Sequence, residues 1–113
     1  MSSLSEKHCI PCEGKIVALS REKVAELLHQ VSGWSVDAEL KTISKKFEFK
    51  GFGKTMGFVN AIAWIAMQET HHPDIHFGFN YCLVHYTTHS AHGLTENDFI
   101  CAAKVDALLE MDK

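Results

Sequence analysis

Apolar residues recur at helical spacing in three stretches of the chain. The first begins after Ser20, a favoured N-cap residue, and ends at Gly33. The second follows Gly53 and ends before Pro73, because a proline pushes the residue before it out of the helical region. The third follows Thr95. The apolar positions of these predicted helices are Val24, Leu27, Leu28 and Val31; Met56, Val59, Ile62, Ala63 and Ala66, widened by Phe58, Ile65 and Met67; and Phe99, Ala102, Val105, Leu108 and Leu109.

Between the helices, apolar and polar residues alternate, which is typical of strands with one buried face. A short strand is predicted at 34–36, and a longer one over 41–49, where Lys45 interrupts the apolar side. A third covers 75–79, and a fourth covers 82–89. The expected inward face of the fourth strand consists of Cys82, Val84 and Tyr86.

The order of elements is therefore α-β-β-α-β-β-α, which predicts an α+β fold with a four-stranded antiparallel sheet and helices packed on one face. A length of 113 residues suits one domain. We expect residues 19–113 to form it and residues 1–18, which lack periodicity, to be a flexible tail. The long second helix, with its broad apolar stripe, is expected to be the most buried one.

The composition limits the classes of partner that the protein is expected to bind. A net charge of −3 argues against nucleic-acid binding, which needs a surplus of Lys and Arg. No apolar run approaches the roughly 20 residues of a membrane span, and the N-terminus shows no secretory signal. The expected compartment is the cytoplasm, where the four cysteines would be free thiols. Cys9 and Cys12 form a C-x-x-C, but a zinc site would need a second pair and a thioredoxin-type motif a preceding strand.

Six of the eight histidines fall between residues 71 and 92. His71 and His72 lie at the end of the second helix, and His89 at the end of the fourth strand. If these ends approach one another, three imidazoles converge, and an ordinary pKa near 6.5 suits them to acid–base catalysis. Metal binding is the alternative, but neighbouring residues on a helix point about 100° apart, which favours proton transfer. The other five histidines are expected to be solvated: His8, His29, His76, His85 and His92.

A longer series of residues carries a family resemblance. It consists of His71, His72, Pro73 and Asp74; Phe79; Thr88 and His89; and Gly93, Leu94, Thr95 and Asp98. Together these resemble the pterin-4a-carbinolamine dehydratase family. The Gly-Trp pair at 33–34, the Phe-Glu-Phe of 47–49 and the Asn-Ala-Ile-Ala of 60–63 are similar too, so the resemblance covers about residues 20–110.

The resemblance implies a 4a-hydroxytetrahydrobiopterin dehydratase, a hydro-lyase that needs neither metal nor cofactor. Such an enzyme releases water and quinonoid dihydropterin, which is recycled for an aromatic amino acid hydroxylase. By resemblance His71, His72 and His89 are catalytic, and the substrate-binding residues are Pro73, Asp74, Phe79, Thr88 and Asp98. The family also implies a homodimer or homotetramer. A non-catalytic role, binding a transcription factor through the oligomerisation surface, is the alternative.

Three features of the sequence bear on the implied site. Met67 stands where the family often has an acidic residue, with Glu69 nearby but out of register. Phe79 replaces a frequent tyrosine, so it keeps a ring but lacks a hydroxyl. Thr95 and Asp98 form a variant of the capping box, so Asp98 has two compatible roles, as a helix cap and as a site contact.

Overall fold

A computed structural model describes residues 3–11 and 16–110 and confirms the α+β class. The helices are α1 (Arg21–Leu28), α2 (Phe52–Glu69) and α3 (Glu96–Glu110), and the strands are β1 (Ser35–Val36), β2 (Ile43–Glu48), β3 (Asp74–Phe77) and β4 (Tyr81–Tyr86). Short 3₁₀ turns cover Leu4–Glu6 and His89–Ala91. None of the helices within these described ranges is long and apolar enough to cross a membrane.

The four strands form one antiparallel sheet in the order β1-β2-β4-β3. β4 is central, with Val84 opposite Lys45 of β2 and Ile75 of β3. The inward side chains of β4 are buried as the alternation predicts, and they are Cys82, Val84 and Tyr86. The sheet thereby places the end of β4 beside the chain that leaves α2 and the chain that enters α3.

α3, and not α2, is the most buried helix. Seven of its fifteen residues are buried, among them Phe99 and Val105, whereas four of the eighteen in α2 are. The predicted stripe of α2 is also turned, because its buried positions are Thr55, Phe58, Ile62 and Ile65. A helix that is apolar on most sides gives no clear direction to its core face.

Lys45 lies on the inward side of β2, where an ion pair compensates its charge. Its Nζ lies 3.0 Å from Oδ1 of Asp106 on α3. The same carboxylate accepts the indole N–H of Trp34 at 3.1 Å to both oxygens. Trp34 is 6% exposed and packs edge-on against Phe47. This polar group thus joins β2, the segment before β1 and α3 at the rim of the core.

The described N-terminal residues contact the domain, which the sequence does not predict, while their flexibility stays a prediction. Leu4 is 4% exposed, and residues 3–11 lie against α3. The contacts are mostly polar and leave no periodic pattern in the sequence, so the prediction had no means of finding them. Cys12 lies outside the described residues, and the prediction for the Cys9/Cys12 pair stays a prediction at that position.

Candidate active site

The chain reverses sharply at the end of α2. Thr70 takes the left-handed conformation (φ 51°, ψ 44°), and the N–H of His71 donates to the carbonyl of Ala66 at 3.2 Å. This turn directs the ring of His71 toward α3 and leaves its side chain 10% exposed. His72, one residue further, is exposed. The two adjacent imidazoles therefore differ in burial, and the helical spacing does not apply to them because α2 ends at Glu69.

Asp98, in the first turn of α3, is fully buried and holds the ring of His71. Its Oδ1 lies 2.6 Å from His71 Nε2. Its Oδ2 accepts the hydroxyl of Thr88 at 2.8 Å and the backbone N–H of Thr95 at 3.0 Å. The hydroxyls of Thr88 and Thr95 are 2.9 Å apart. Asp98 therefore caps α3 and contacts the histidine at once, so both of its expected contacts occur.

This arrangement fixes the tautomer of His71. An ionised carboxylate can only accept hydrogen bonds, so Nε2 carries the proton that faces Asp98. In the neutral ring Nδ1 is then left with its lone pair free. The ring also lies parallel to that of Tyr86, with centroids 6.0 Å apart and an interplanar angle of 6°. His71 is thus an oriented imidazole whose Nδ1 carries no proton in the neutral ring.

Tyr86 contributes packing and not proton transfer. Burial raises the pKa of its phenol above the ordinary range, and Coulombic interaction with Cys101, Cys9 and Asp98 raises it further. Its hydroxyl has no hydrogen-bond partner among the residues that the structure describes. The phenol stays protonated at neutral pH and forms one wall behind His71.

His89 is placed differently from the prediction. β4 ends at Tyr86, and His89 begins a 3₁₀ turn in which it is exposed. It follows Thr88, which is buried and donates a hydrogen bond to Asp98. The backbone of His89 is therefore next to the residue that binds the carboxylate in contact with His71. Within residues 3–11 and 16–110, no three His, Cys, Asp or Glu side chains form a group that could hold a metal ion.

The residues expected to bind substrate are only partly brought together. Thr88 and Asp98 lie at the His71 corner, and Pro73 and Asp74 lead from it into β3. Phe79 follows the far end of β3 and is 66% exposed, and its carbonyl accepts the hydroxyl of Thr55 at 3.0 Å. Thr55 precedes the end of α2 by fourteen residues, or about 21 Å of helix. Within one chain Phe79 is therefore far from the histidines.

Glu69, two residues before His71, faces away from the site and holds the N-terminal segment. Its Oε1 accepts the N–H of Cys9 at 2.6 Å, its Oε2 lies 2.9 Å from His8 Nδ1, and Lys104 Nζ is 3.8 Å away. Burial opposes ionisation, but these partners outweigh it and hold the pKa of Glu69 below its usual value. The sequence places Glu69 near the implied site but does not indicate these partners.

Glu69→Gln is expected to weaken the fold at neutral pH and to remove part of its acid sensitivity. A lowered pKa in the folded state means that the carboxylate stabilises the protein above its unfolded pKa of about 4.3. That stability is lost as the pH falls through the folded value. Urea unfolding from pH 7 to pH 3 should therefore show the wild type and the variant converging toward acid pH.

Glu48→Gln is the matched control, because that side chain is 77% exposed. It should follow the wild type across the whole range. A difference between Glu69→Gln and wild type that does not change with pH would contradict the assignment.

An oriented imidazole against a buried carboxylate is an arrangement that can serve acid–base chemistry. Comparison with known proteins identifies the family. The sequence pattern of the family described as pterin 4 alpha carbinolamine dehydratase matches residues 17–108. The chain belongs to this family.

Two bacterial relatives are similar over nearly the whole chain, and both are provisionally named pterin-4-alpha-carbinolamine dehydratase. The protein of Nitrosospira multiformis is 51% identical, with 98% of this chain and 96% of the relative covered. That of Legionella pneumophila strain Corby is 55% identical, with 96% of each covered.

Two solved structures share the fold. A crystal structure from Brucella melitensis, described as a transcriptional coactivator/pterin dehydratase, has a TM-score of 0.77 at 32% identity and covers 80% of this chain and 97% of that one. A pterin dehydratase-like protein, described as a RuBisCO assembly factor in the alpha-carboxysome, has a TM-score of 0.60 at 28% identity and covers 67% and 88%. The scaffold thus occurs in proteins described in catalytic and in non-catalytic terms.

Proposed function

We propose that the protein dehydrates 4a-hydroxytetrahydropterin to quinonoid dihydropterin and water. The contact of 2.6 Å between His71 Nε2 and the buried Asp98 carboxylate carries this proposal. It gives the chain an oriented imidazole with a defined tautomer. Membership of the dehydratase family supplies the reaction class.

The reaction needs a base and an acid at two neighbouring atoms of the pterin, N5 and C4a. A proton leaves N5, the C4a–O bond breaks, and the departing hydroxide takes a proton and leaves as water. We assign the base to Nδ1 of His71, because Asp98 keeps the proton of that ring on Nε2. His72 and His89, both exposed at this corner, are assigned to the hydroxyl side, where one of them donates the proton. The quinonoid product is then a substrate for the reductive recycling that serves an aromatic amino acid hydroxylase.

We propose further that the protein works as a homodimer or homotetramer. β1 and β3 are the edges of the sheet, and no strand among the described residues pairs with the outer side of the four-residue β3. Phe77, the last residue of β3, is 41% exposed, and Phe79, two residues after the strand, is 66% exposed. A second copy at this edge would cover both rings and extend the sheet.

The deciding experiment follows the decay of 4a-hydroxytetrahydropterin by stopped-flow, with and without the protein. We expect decay faster than the uncatalysed rate, and an unchanged rate in protein made metal-free by chelation. His72→Ala combined with His89→Ala should lose most of the acceleration. His29→Ala, an exposed histidine at the end of α1, should keep it. Decay no faster than in buffer would refute the proposed function.

A binding role is the second candidate, and the outer face of α2 favours it. Trp64 is 61%, Met67 68% and Phe52 49% exposed there. Exposed apolar side chains on one helix are typical of a contact surface. Trp64→Ala should weaken self-association, measured by light scattering, while the His72 and His89 substitutions leave it unchanged. Unchanged self-association of Trp64→Ala would contradict the assignment of α2 as the contact face.

A further inference from the structure

The N-terminal segment, residues 7–10, crosses α3 and reaches the end of α2. Ile10 exchanges two hydrogen bonds with the side chain of Asn97, at 3.0 and 2.7 Å. The N–H of Cys9 donates to Glu69, and Lys7 pairs with Glu96 at 3.3 Å. These contacts hold the segment in one register on α3, which carries Asp98, and on the end of α2, two residues before His71.

That register brings two sulfur atoms together. Sγ of Cys9 lies 3.5 Å from Sγ of Cys101, and both cysteines are free thiols. Cys101 is fully buried in α3, whereas Cys9 is partly exposed. A disulfide has an S–S length of about 2.05 Å, so the sulfurs would have to approach by roughly 1.5 Å. Because Cys9 belongs to neither a helix nor a strand, a side-chain rotation and a small backbone shift can supply that movement.

We propose that Cys9 and Cys101 form a redox modification site, in which a reversible disulfide fastens the N-terminal segment across α3. The oxidant is a low-molecular-weight disulfide. This site is independent of the proposed dehydration, since it rests on the sulfur geometry alone.

The step balances as thiol–disulfide exchange. The Cys9 thiolate attacks the external disulfide, forms a mixed disulfide and releases one thiolate. The sulfur of Cys101, after losing its proton, attacks Sγ of Cys9 and releases the second. Two electrons and two protons pass from the protein to the external disulfide, which becomes two thiols. A small dithiol reverses the sequence.

The surroundings of Cys9 set the rate and the persistence of this bond. The hydrogen bond with Cys101, together with burial, raises the pKa of the Cys9 thiol far above its ordinary value. Its thiolate is therefore a minor species, and exchange is slow. Some protein disulfides are strong oxidants because their reduced form is stabilised as a thiolate. The raised pKa of Cys9 means that this protein lacks such stabilisation. The expected bond forms over hours and resists weak reductants.

Counting thiols tests the pairing. The full-length protein is incubated with oxidised glutathione at pH 8, and its thiols are titrated after denaturation. The wild type should fall from four thiols to two, and Cys12→Ser should fall from three to one. Cys9→Ala should keep all three, and Cys101→Ala should lose at most the one thiol of Cys9, as a mixed disulfide with glutathione. Peptide mapping should join the peptide of Cys9 to that of Cys101.

A second readout is thermal stability, because the bond closes a loop of about 90 residues. Oxidation should raise the Tm of the wild type by roughly 10 °C, and dithiothreitol should reverse the shift. Wild type that keeps four thiols would overturn the proposal. So would a loss of two thiols in Cys101→Ala with none in Cys12→Ser, since that pattern means a bond between Cys9 and Cys12. If Cys101→Ala does not fold, Cys9→Ala carries the same test.

Discussion

Asp98→Asn is expected to lower the dehydration rate constant by about 10²–10³-fold while the protein stays folded. The amide oxygen can accept the hydroxyl of Thr88 and the N–H of Thr95, as the carboxylate does. The amide nitrogen then faces His71 and donates to Nε2. The proton of the ring must move to Nδ1, which removes the lone pair assigned to the pterin.

Two measurements separate this effect from damage to the fold. The free energy of unfolding of Asp98→Asn should stay within about 2 kcal/mol of the wild type, because each hydrogen bond keeps a partner. Asp37→Asn is the control, since that carboxylate accepts backbone N–H groups in the turn between β1 and β2. It should leave the rate unchanged. A rate for Asp98→Asn within threefold of wild type would show that the tautomer of His71 does not limit catalysis.

Phe99→Ala is expected to cost about 3–5 kcal/mol of stability. Phe99 is fully buried in α3, the element that contacts the N-terminal segment, α1, α2 and β4. A domain of this size is stable by about 5–15 kcal/mol, so the loss takes a large share of the total. Guanidinium unfolding should show a much lower midpoint with a similar slope.

Phe79→Ala provides the matched comparison, because it removes the same ring from a position that is 66% exposed. Its cost should stay below about 1 kcal/mol. Equal losses from the two variants would mean that α3 is not the centre of the core.

How well the buried face of an element can be predicted depends on how its apolar residues are distributed. The alternation of Cys82, Val84 and Tyr86 predicted the inward face of β4 correctly, because one face of the sheet is covered and the other is not. The buried face of α2 was predicted wrongly because apolar residues lie on most sides of this helix. Trp64 and Met67 are exposed although they resemble core residues.

The sequence indicated local features of the residues around Asp98 but not the contacts that join them. The spacing of Thr95 and Asp98 indicated a helix cap, and the adjacent His71 and His72 indicated divergent rings. That the cap and the ring share one carboxylate depends on the left-handed turn at Thr70, a residue with no special preference for it. The packing of Cys9 on α3 depends on single polar contacts, which have no period in the sequence.

The hydrogen bonds around Asp98 join residues close in sequence, with separations of 27, 10 and 3. They therefore close short loops, and all of them lie within residues 71–98. The N-terminal half of the chain contributes packing and no polar contact to this carboxylate among the described residues. Opening of the corner can accordingly occur as a local event, without unfolding α1 or β2. The backbone amide of Thr95, bound to Asp98 only while the corner is closed, reports by its hydrogen exchange how often that event occurs.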